Sequence, residues 1–496
     1  MSPSARALGW VTLAGLLFYG LFHNEVNGLN YLLWCLGLLV VAHRVHPHLR
    51  RTALGRAATV LVVFTCGVYF WLDTDLAFSA SQGALWLLAG ACYTPTPRSV
   101  WAATLGGLHT QWLQIWPWTY RALLETVPWV RRSPVLRHLH PAYALPVVAV
   151  VPLGLLLMGA SPVFADWVGT GLLGLVRAID SVLSLEVWVP LLLLTGVGGF
   201  LAAPLVIARR PLGFLLWEQA APRQLPAPTA PPTEHQGWVY RLGVVGLVLV
   251  NLLLLAFNAA DVHWIWFNFY LPPGVPLSQL VHEGTYYLIA SILLSMGALL
   301  YLFGRRPHAT PEARRLRLLA LLWLAQNLVL VVSVAVRTLR YIDAHGLAYK
   351  RIGVLFFLAL TVVGLVTLAL KLRGNLPVAY LLRRNSLAAL VLWVGAACVD
   401  WDGVILRHNL RYLRPGTHDA YFHLRLSEHH LATVIRNRHL LRTEDPDFEW
   451  AARRAGQQFL AQNHPSRRSW LSWSPRRAQT YRNIQSAVDE MPITEP

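Results

Sequence analysis

Charged residues are scarce in this 496-residue chain: they make up 13% of it, whereas an average soluble domain carries about 25%. Acidic residues are the scarcer kind, with 24 Asp and Glu against 42 Lys and Arg, so the formal net charge is +18. Hydrophobic residues make up 55% of the chain. This balance excludes an ordinary soluble domain. A nucleic-acid partner is not expected either, because the basic residues are dispersed over short segments between apolar runs.

Cysteine is rare as well, and it shows no metal-binding pattern. The cysteines are Cys35, Cys66, Cys92 and Cys398. All four lie in or beside apolar segments without CxxC spacing, so neither a disulfide framework nor a zinc ribbon is expected. The Gly-x-Ser-x-Gly elbow, the Walker loop and the dinucleotide fingerprint are absent. We therefore predict no metal and no cofactor, and we favour a non-enzymatic protein.

Long apolar runs are what the chain has in abundance. A bilayer-spanning helix needs about 20 apolar residues, and runs of about this length recur along the chain. We predict eleven spans, at 8–22, 28–42, 56–72, 83–110, 141–160, 187–208, 238–257, 283–303, 318–336, 352–370 and 385–400. The predicted fold class is all-α: a polytopic helical membrane protein with a small, mainly helical C-terminal tail domain. Pro95 and Pro97 make the fourth run either one span followed by an interfacial stretch or two short spans.

The charge of the connecting loops predicts the orientation. If the N-terminus is inside and the fourth run crosses once, the inside loops carry 21 Lys and Arg and the outside loops carry 5. A second crossing of that run would move 16 of these charges outside, against the positive-inside rule. We therefore predict a cytoplasmic N-terminus and an exofacial C-terminal tail.

Composition divides the chain further. We predict a six-span unit at 1–221, a Pro-rich linker at 222–237, a five-span unit at 238–400, an exofacial tail domain at 401–463 and a loosely ordered C-terminus at 464–496. Within the tail, apolar residues recur at helical spacing over 419–441 and 446–463. This apolar face needs a partner, so we expect the tail to pack on the membrane part.

The predicted outside loop at 258–282 is rich in aromatic residues and contains no Lys or Arg. Its candidate binding residues are Asp261, Trp264, Trp266, His282 and Glu283. Such a loop is typical of an interfacial aromatic belt. Alternatively it is an exofacial binding loop, with Glu283 at the start of a helix, where the dipole favours its charge. Tyr286 stands where HExxH has its second His, which excludes a zincin.

A second outside loop, 337–351, is rich in positive charge and so opposes the topology signal. Its candidate binding residues are Arg337, Arg340, Tyr341 and Arg351. Positions 337, 340 and 341 share one helical face, and Gly346 is expected to end that helix. The loop is either a turn flanked by snorkelling arginines or an anion clamp with Glu283 as counter-charge. The clamp would take an anionic lipid or an envelope phosphate.

Polar residues also cluster in the tail. The binding candidates there are His408, Asn409 and Asp419, and His423, His429 and His430 are further ligand-type residues. None of them has a diagnostic metal spacing, so a surface helix is favoured over a metal site.

The segment from Arg340 to Arg351 resembles the Arg-x-x-x-Tyr-x-x-x-Tyr-Gly-Leu-Thr-x-x-Arg-type signature of an uncharacterised bacterial group of multipass membrane domains of unknown function, the DUF4153/DUF4173 group. Further matches are Gly28-Leu-Asn30, His282-Glu283-Gly284 and Arg407-His408-Asn409. The chain departs from the signature at His345 and Ala348, where the family favours Tyr and Thr. The resemblance implies a bacterial cytoplasmic-membrane protein and supplies no reaction.

Together these features predict an inner-membrane envelope protein that acts through an exofacial assembly of loops and tail, with the bilayer and a membrane protein as partners. A transporter is the alternative, because broken spans such as 83–110 can line a substrate site. Few charged residues lie near the middle of a predicted span, which argues against transport. The third class is a membrane enzyme for an envelope phosphate or lipid-linked substrate, with Glu283 or His282 as base and Arg340 or Arg351 on the anion.

Overall fold

The computed structural model describes residues 3–92, 97–126, 166, 168–170, 185–207, 213–222, 224, 234–267, 277–303, 311–412, 420–441, 446–464 and 468–491. Throughout these residues the regular secondary structure is helical, without a strand, which confirms the all-α class. The chain forms two compact units. Their main boundary lies between Leu216 and Trp217, and the segment Pro465–Pro475 belongs to the first unit.

The first unit is built mostly from the N-terminal helices. These are α1 (Pro3–Phe22), α2 (Leu29–Val45), α3 (Ala53–Leu72), α4 (Asp75–Ala91), α5 (Val100–His109), α6 (Ile115–Thr126) and α7 (Leu185–Val206). A π-helical stretch, Thr110–Gln114, joins α5 to α6. A short helix, α8 (Gly213–Ala220), follows at the boundary between the units.

Small residues bring α1 and α7 together. A Cβ on Gly15 would lie 2.3 Å from the carbonyl oxygen of Thr195, and one on Gly198 would lie 2.3 Å from the Cβ of Phe18. Gly199 faces Val11 in the same way. Close approach through small residues is the usual basis of helix packing in membranes.

The fourth apolar run is not one continuous span. Helix α4 ends at Ala91, and α5 packs back along it in the antiparallel direction. A Cβ on Gly90 would lie 1.8 Å from the carbonyl oxygen of Ala103, and one on Gly107 would lie 2.3 Å from that of Trp86. The run 83–110 therefore lies in two antiparallel helices, whose small residues let their backbones meet.

The second unit contains the longer helices. These are α9 (Glu234–Asp261), α10 (Leu277–Leu302), α11 (Pro311–His345), α12 (Tyr349–Gly374) and α13 (Val378–Ala397). A π-helical stretch, Val262–Phe267, extends α9. Helices α9 and α11 are parallel, because Gly243 approaches Leu316 near one end and Trp266 contacts Ser333 near the other. Leucines and other aliphatic side chains from α9 to α13 form the core of this unit.

Six helices in the described part of the chain are long and apolar enough to cross a membrane, or seven if α13 and the helix that follows it at 66° count as one span. They cover all or most of the predicted runs 8–22, 56–72, 187–208, 238–257, 318–336 and 352–370. Two further runs lie in shorter apolar helices, Leu29–Val45 and Tyr286–Leu302, and the run 141–160 lies outside the described residues. The chain is a multipass helical membrane protein, but the count of eleven spans is not confirmed.

The C-terminal segment is helical for most of its length. Its helices are α14 (Trp401–Tyr412), α15 (Ala420–Leu424), α16 (Leu431–Arg436), α17 (Arg438–Leu441), α18 (Pro446–Gln462) and α19 (Pro475–Asp489). Ile405 and Leu406 of α14 pack with Ile352 of α12, so the expected packing of the tail on the membrane part is confirmed. Within the segment after residue 464, Ile484 and Ala487 of α19 are buried against α16 and α18.

Candidate functional site

A row of buried polar side chains lies between α9 and α11, and we call it the polar seam. Its members are Asn251, Asn258, Asp261, Trp266, Gln326, Ser333 and Arg337. The Nε2 of Gln326 donates to Oδ1 of Asn251 at 2.7 Å, and the Nδ2 of Asn258 donates to the carbonyl oxygen of Gln326 at 3.2 Å. The indole nitrogen of Trp266 donates to the Ser333 hydroxyl at 2.8 Å. The seam thus joins two candidate membrane spans by hydrogen bonds.

An ion pair between Asp261 and Arg337 lies in the same seam. The Nη2 of Arg337 donates to Oδ1 of Asp261, and the two side chains are 8% and 5% exposed, respectively. Asp261 is the last residue of α9, and Arg337 lies eight residues before the end of α11. Both belong to the candidate spans Arg241–Phe267 and Arg314–His345. Ionisable residues inside membrane spans are costly and usually mark a functional site.

The seam also contains buried polar atoms that have no hydrogen-bond partner among the described residues. They are Oδ1 of Asn258, Oδ2 of Asp261, Oε1 of Gln326 and Nε of Arg337. A buried polar atom without a partner costs free energy of about 1–3 kcal/mol. This set of three acceptor oxygens and one guanidinium donor has the chemistry to hold water, a cation or a small polar molecule.

Between α11 and α12 the chain turns at Gly346–Ala348, which we call the link. Gly346 has a φ of +78°, and its N–H donates to the carbonyl oxygen of Ile342 at 2.7 Å. This is a left-handed helix cap, so the predicted role of Gly346 is confirmed. Most of the predicted loop 337–351 is therefore helix, because the sequence has no breaker before Gly346.

Arg351 holds the link from the other side. Its guanidinium donates to the carbonyl oxygens of His345, at 2.9 Å, and Gly346, which are exposed at the end of α11. The same group lies 4.5 Å from the ring centroid of Tyr341, which in turn stacks on His345. Tyr341 and Arg351 therefore stabilise the C-terminal end of α11.

Two of the arginines predicted for the anion clamp bind groups of the chain itself. Arg337 pairs with Asp261 and Arg351 binds backbone carbonyls, while Arg340 is exposed. The counter-charge of Arg337 is thus Asp261. Glu283 does not lie at a helix start, because α10 begins at Leu277, nearly two turns earlier. The side chains of Trp264, His282 and Glu283 lie outside the described residues.

Asn409 connects the tail to the link. Its Oδ1 accepts from the N–H of Leu347 at 2.6 Å, and its Nδ2 donates to the carbonyl oxygen of the same residue at 3.1 Å. The side chain is buried. Both backbone groups of Leu347, which the turn leaves outside the helices, are thereby paired. The tail candidate Asn409 thus contacts the 337–351 segment, while its neighbour His408 lies against Tyr412.

A second polar cluster, the Asp400 cluster, joins three parts of the tail. His430 Nε2 lies 2.9 Å from both carboxylate oxygens of Asp400, and Arg476 donates to Oδ2. Oδ1 also accepts from the N–H of Gly403 at 3.1 Å, which caps α14. Burial raises the pKa of the Asp400 carboxyl, but His430, Gly403 and Arg476 outweigh it and hold that pKa below the ordinary range.

The remaining tail candidates have separate partners. Nδ1 of His429 lies 2.9 Å from the Thr480 hydroxyl, His423 is buried, and Asp419 lies outside the described residues. Within the described segments, no group of three or more His, Cys, Asp or Glu side chains is placed to hold a metal ion.

Sequence reasoning missed the polar seam, although the sequence carries a signal for it. Asn251 and Asn258 are seven residues apart on one apolar run, and Gln326 and Ser333 are seven apart on another. Seven residues are about two helical turns, so each pair lies on one face. Counting only charged residues in the spans overlooked these amides.

The chain matches a protein-family model. A family model described as a domain of unknown function, DUF4153, covers residues 31–437, which include both candidate spans of the seam, the link and Asn409. No curated protein and no solved structure matches the chain. The model covers well over half of the sequence. The chain therefore belongs to the DUF4153 family of domains of unknown function.

Proposed function

We propose that this chain is a bacterial inner-membrane envelope protein that acts, without catalysis, through an assembly on the outer face of the membrane. The assembly consists of the C-terminal end of α9, the link and the tail from Trp401. The observation that carries the proposal is the pair of hydrogen bonds between Asn409 and Leu347. They attach the tail to the membrane helices at the turn between α11 and α12.

The Asp261–Arg337 pair extends this attachment to α9. The ends of three membrane-spanning segments and the tail are thus connected by polar contacts, in addition to the apolar cluster around Ile352 and Ile405. Such an arrangement presents a fixed surface instead of independent loops. The excess of Lys and Arg in the predicted inside loops supports the outer face as its location.

The experiment replaces Asn409 with Ala. Two partly buried backbone groups of Leu347 then lose their partners, which should cost about 2 kcal/mol. We expect limited proteolysis of the tail in membrane vesicles to become about tenfold faster or more. We also expect that deletion of the gene makes cells sensitive to envelope-active antibiotics. The Asn409→Ala variant should not restore resistance, although its abundance in the membrane equals that of the unmodified protein.

Asn437→Ala is the matched control. Asn437 also donates from a tail helix, but its partner is the carbonyl oxygen of Thr433 on the same turn, at 2.8 Å. This control should leave proteolysis and complementation unchanged. Full complementation by an Asn409→Ala protein with a released tail would contradict the proposal.

A transporter is the second candidate, and the polar seam is the observation that favours it. The seam places a buried ion pair and unpartnered polar atoms inside two candidate spans. A π-helical stretch follows Asp261 directly, and such stretches are frequent at functional sites. A small polar substrate or ion would supply the partners that these atoms lack.

A further inference from the structure

An apolar groove runs along the surface between α12 and α13. It has a volume of about 710 Å³ and is lined by aliphatic and aromatic side chains, among them Phe356, Val363, Leu387, Val391 and Trp401. Both helices belong to candidate membrane spans. If α13 and α14 form one span, the groove would face the hydrocarbon of a bilayer.

The two ends of the groove differ in chemistry. At one end, Trp401 packs edge-on against Phe356, with the ring centroids 5.4 Å apart, and its indole nitrogen donates to the carbonyl oxygen of Ala396 at 2.8 Å. This bond fixes the ring as a cap on the groove. At the other end lies Arg384, the one charged residue in the lining.

Arg384 has no acidic partner among the described residues. Its guanidinium lies 5.8 Å from the ring centroid of Tyr380, and the side chain is exposed. The preceding residue, Arg383, instead pairs with the buried carboxylate of Glu218 at 2.6 Å. A planar guanidinium at the end of an apolar groove is suited to bidentate contact with a phosphate.

We propose that this groove binds one acyl chain of an anionic phospholipid, with the lipid phosphate on Arg384. The length fits: from Arg384 to Ala396 the helix rises about 18 Å, which exceeds the about 15 Å of hydrocarbon in one leaflet. One acyl chain can therefore lie along the groove from the headgroup region to the Trp401 cap. The charge fits as well, because the lining offers a single cation to a single phosphate.

The structure also provides a way to fill the groove without disturbing the fold. Gly395 lines it, and a Cβ added there would meet no atom within 4 Å. Gly353 on α12 is equally open but lies outside the lining, so it is the matched control. Gly395→Leu should occupy the groove, whereas Gly353→Leu should not.

The test uses the full chain in phosphatidylethanolamine vesicles that contain a photoactivatable phosphatidylglycerol or phosphatidylcholine, with a diazirine at the end of one acyl chain. We expect phosphatidylglycerol to crosslink to the 387–399 segment at least fivefold more than phosphatidylcholine. Arg384→Gln should abolish this preference, and Arg373→Gln, at an exposed position on α12, should preserve it. Gly395→Leu should reduce crosslinking of both lipids several-fold.

Three results would overturn the proposal. The first is equal labelling of the groove and of the exposed α12 surface around Val366, which would indicate ordinary annular lipid. The second is a phosphatidylglycerol preference that survives Arg384→Gln. The third is crosslinking to a second copy or another protein in the groove with lipid excluded, which would show that a helix is the occupant.

Discussion

Replacing Asp261 with Asn is expected to lower the free energy of unfolding of the membrane part of the chain by about 3–5 kcal/mol. This is the usual cost of removing one partner of a buried ion pair. The change leaves the Arg337 guanidinium without its counter-charge inside a candidate span. Arg337→Gln should have a similar effect, because it leaves the carboxylate alone. The midpoint of thermal unfolding in detergent micelles measures both, with Arg373→Gln as an exposed control that should not change it.

The double variant Asp261→Asn with Arg337→Gln separates structure from function. It removes both charges together, so most of the lost stability should return. If the seam carries a transported substrate, this stable protein should still fail to complement a deletion strain. If the pair only fixes the exofacial assembly, complementation should return along with stability. Single variants as stable as the unmodified protein would contradict the buried pair itself.

Replacing Asp400 with Ala is expected to release the tail, at a cost of about 2–4 kcal/mol. The change removes the cap of α14 and the shared acceptor of His430 and Arg476. Proteolysis of the tail in vesicles should become at least tenfold faster. Glu490→Gln is the control, because the Arg436–Glu490 pair is exposed and its loss should change nothing measurable.

Gly403→Ala tests the Asp400 cluster in a second way, because helix propensity and the packing of the cluster predict opposite effects on stability. Ala is a better helix former than Gly by about 1 kcal/mol, so Gly403→Ala would stabilise an isolated α14. Here the new Cβ would lie 2.7 Å from Cε1 of His430 and 2.8 Å from Oδ2 of Asp400. We therefore expect faster tail proteolysis from this substitution. A stabilised tail would show that the Asp400 cluster does not close as described.

The pH dependence of the Asp400 contribution follows from the direction of its pKa. The folded-state pKa lies below the ordinary Asp value of about 3.9. The carboxylate therefore contributes its full stabilisation above that ordinary value, and the contribution is lost as the pH falls through the depressed pKa. Between pH 5 and 8, changes in tail proteolysis should not depend on Asp400 titration.

Features set by local sequence were predictable. Gly346 is the first breaker after a long helical segment, and its left-handed φ follows from the lack of a side chain. The apolar face of the tail around Leu431 and Ile435 likewise required a partner, which the structure supplies. In both cases the structural feature follows from a few residues that are close together in the sequence.

Features set by helix pairing were not predictable. Asp261 and Arg337 are 76 residues apart, and one sequence does not reveal which faces of α9 and α11 meet or in what register. The pairing of Arg337 with Asp261 was not predicted for this reason. The Asp400 cluster likewise depends on Arg476, from a segment whose composition suggested loose order.

The central claim is an assembly of link and tail on the outer face, and cysteine labelling in intact cells tests it most directly. The background lacks the native cysteines, Cys35, Cys66, Cys92 and Cys398. Single cysteines then replace exposed residues: Lys350 beside the link, Arg411 in the tail, and Arg50 and Arg373 as inside controls. A membrane-impermeant maleimide should label positions 350 and 411 in intact cells, and positions 50 and 373 only after permeabilisation. Protection of 350 and 411 with labelling of 50 and 373 would contradict the account.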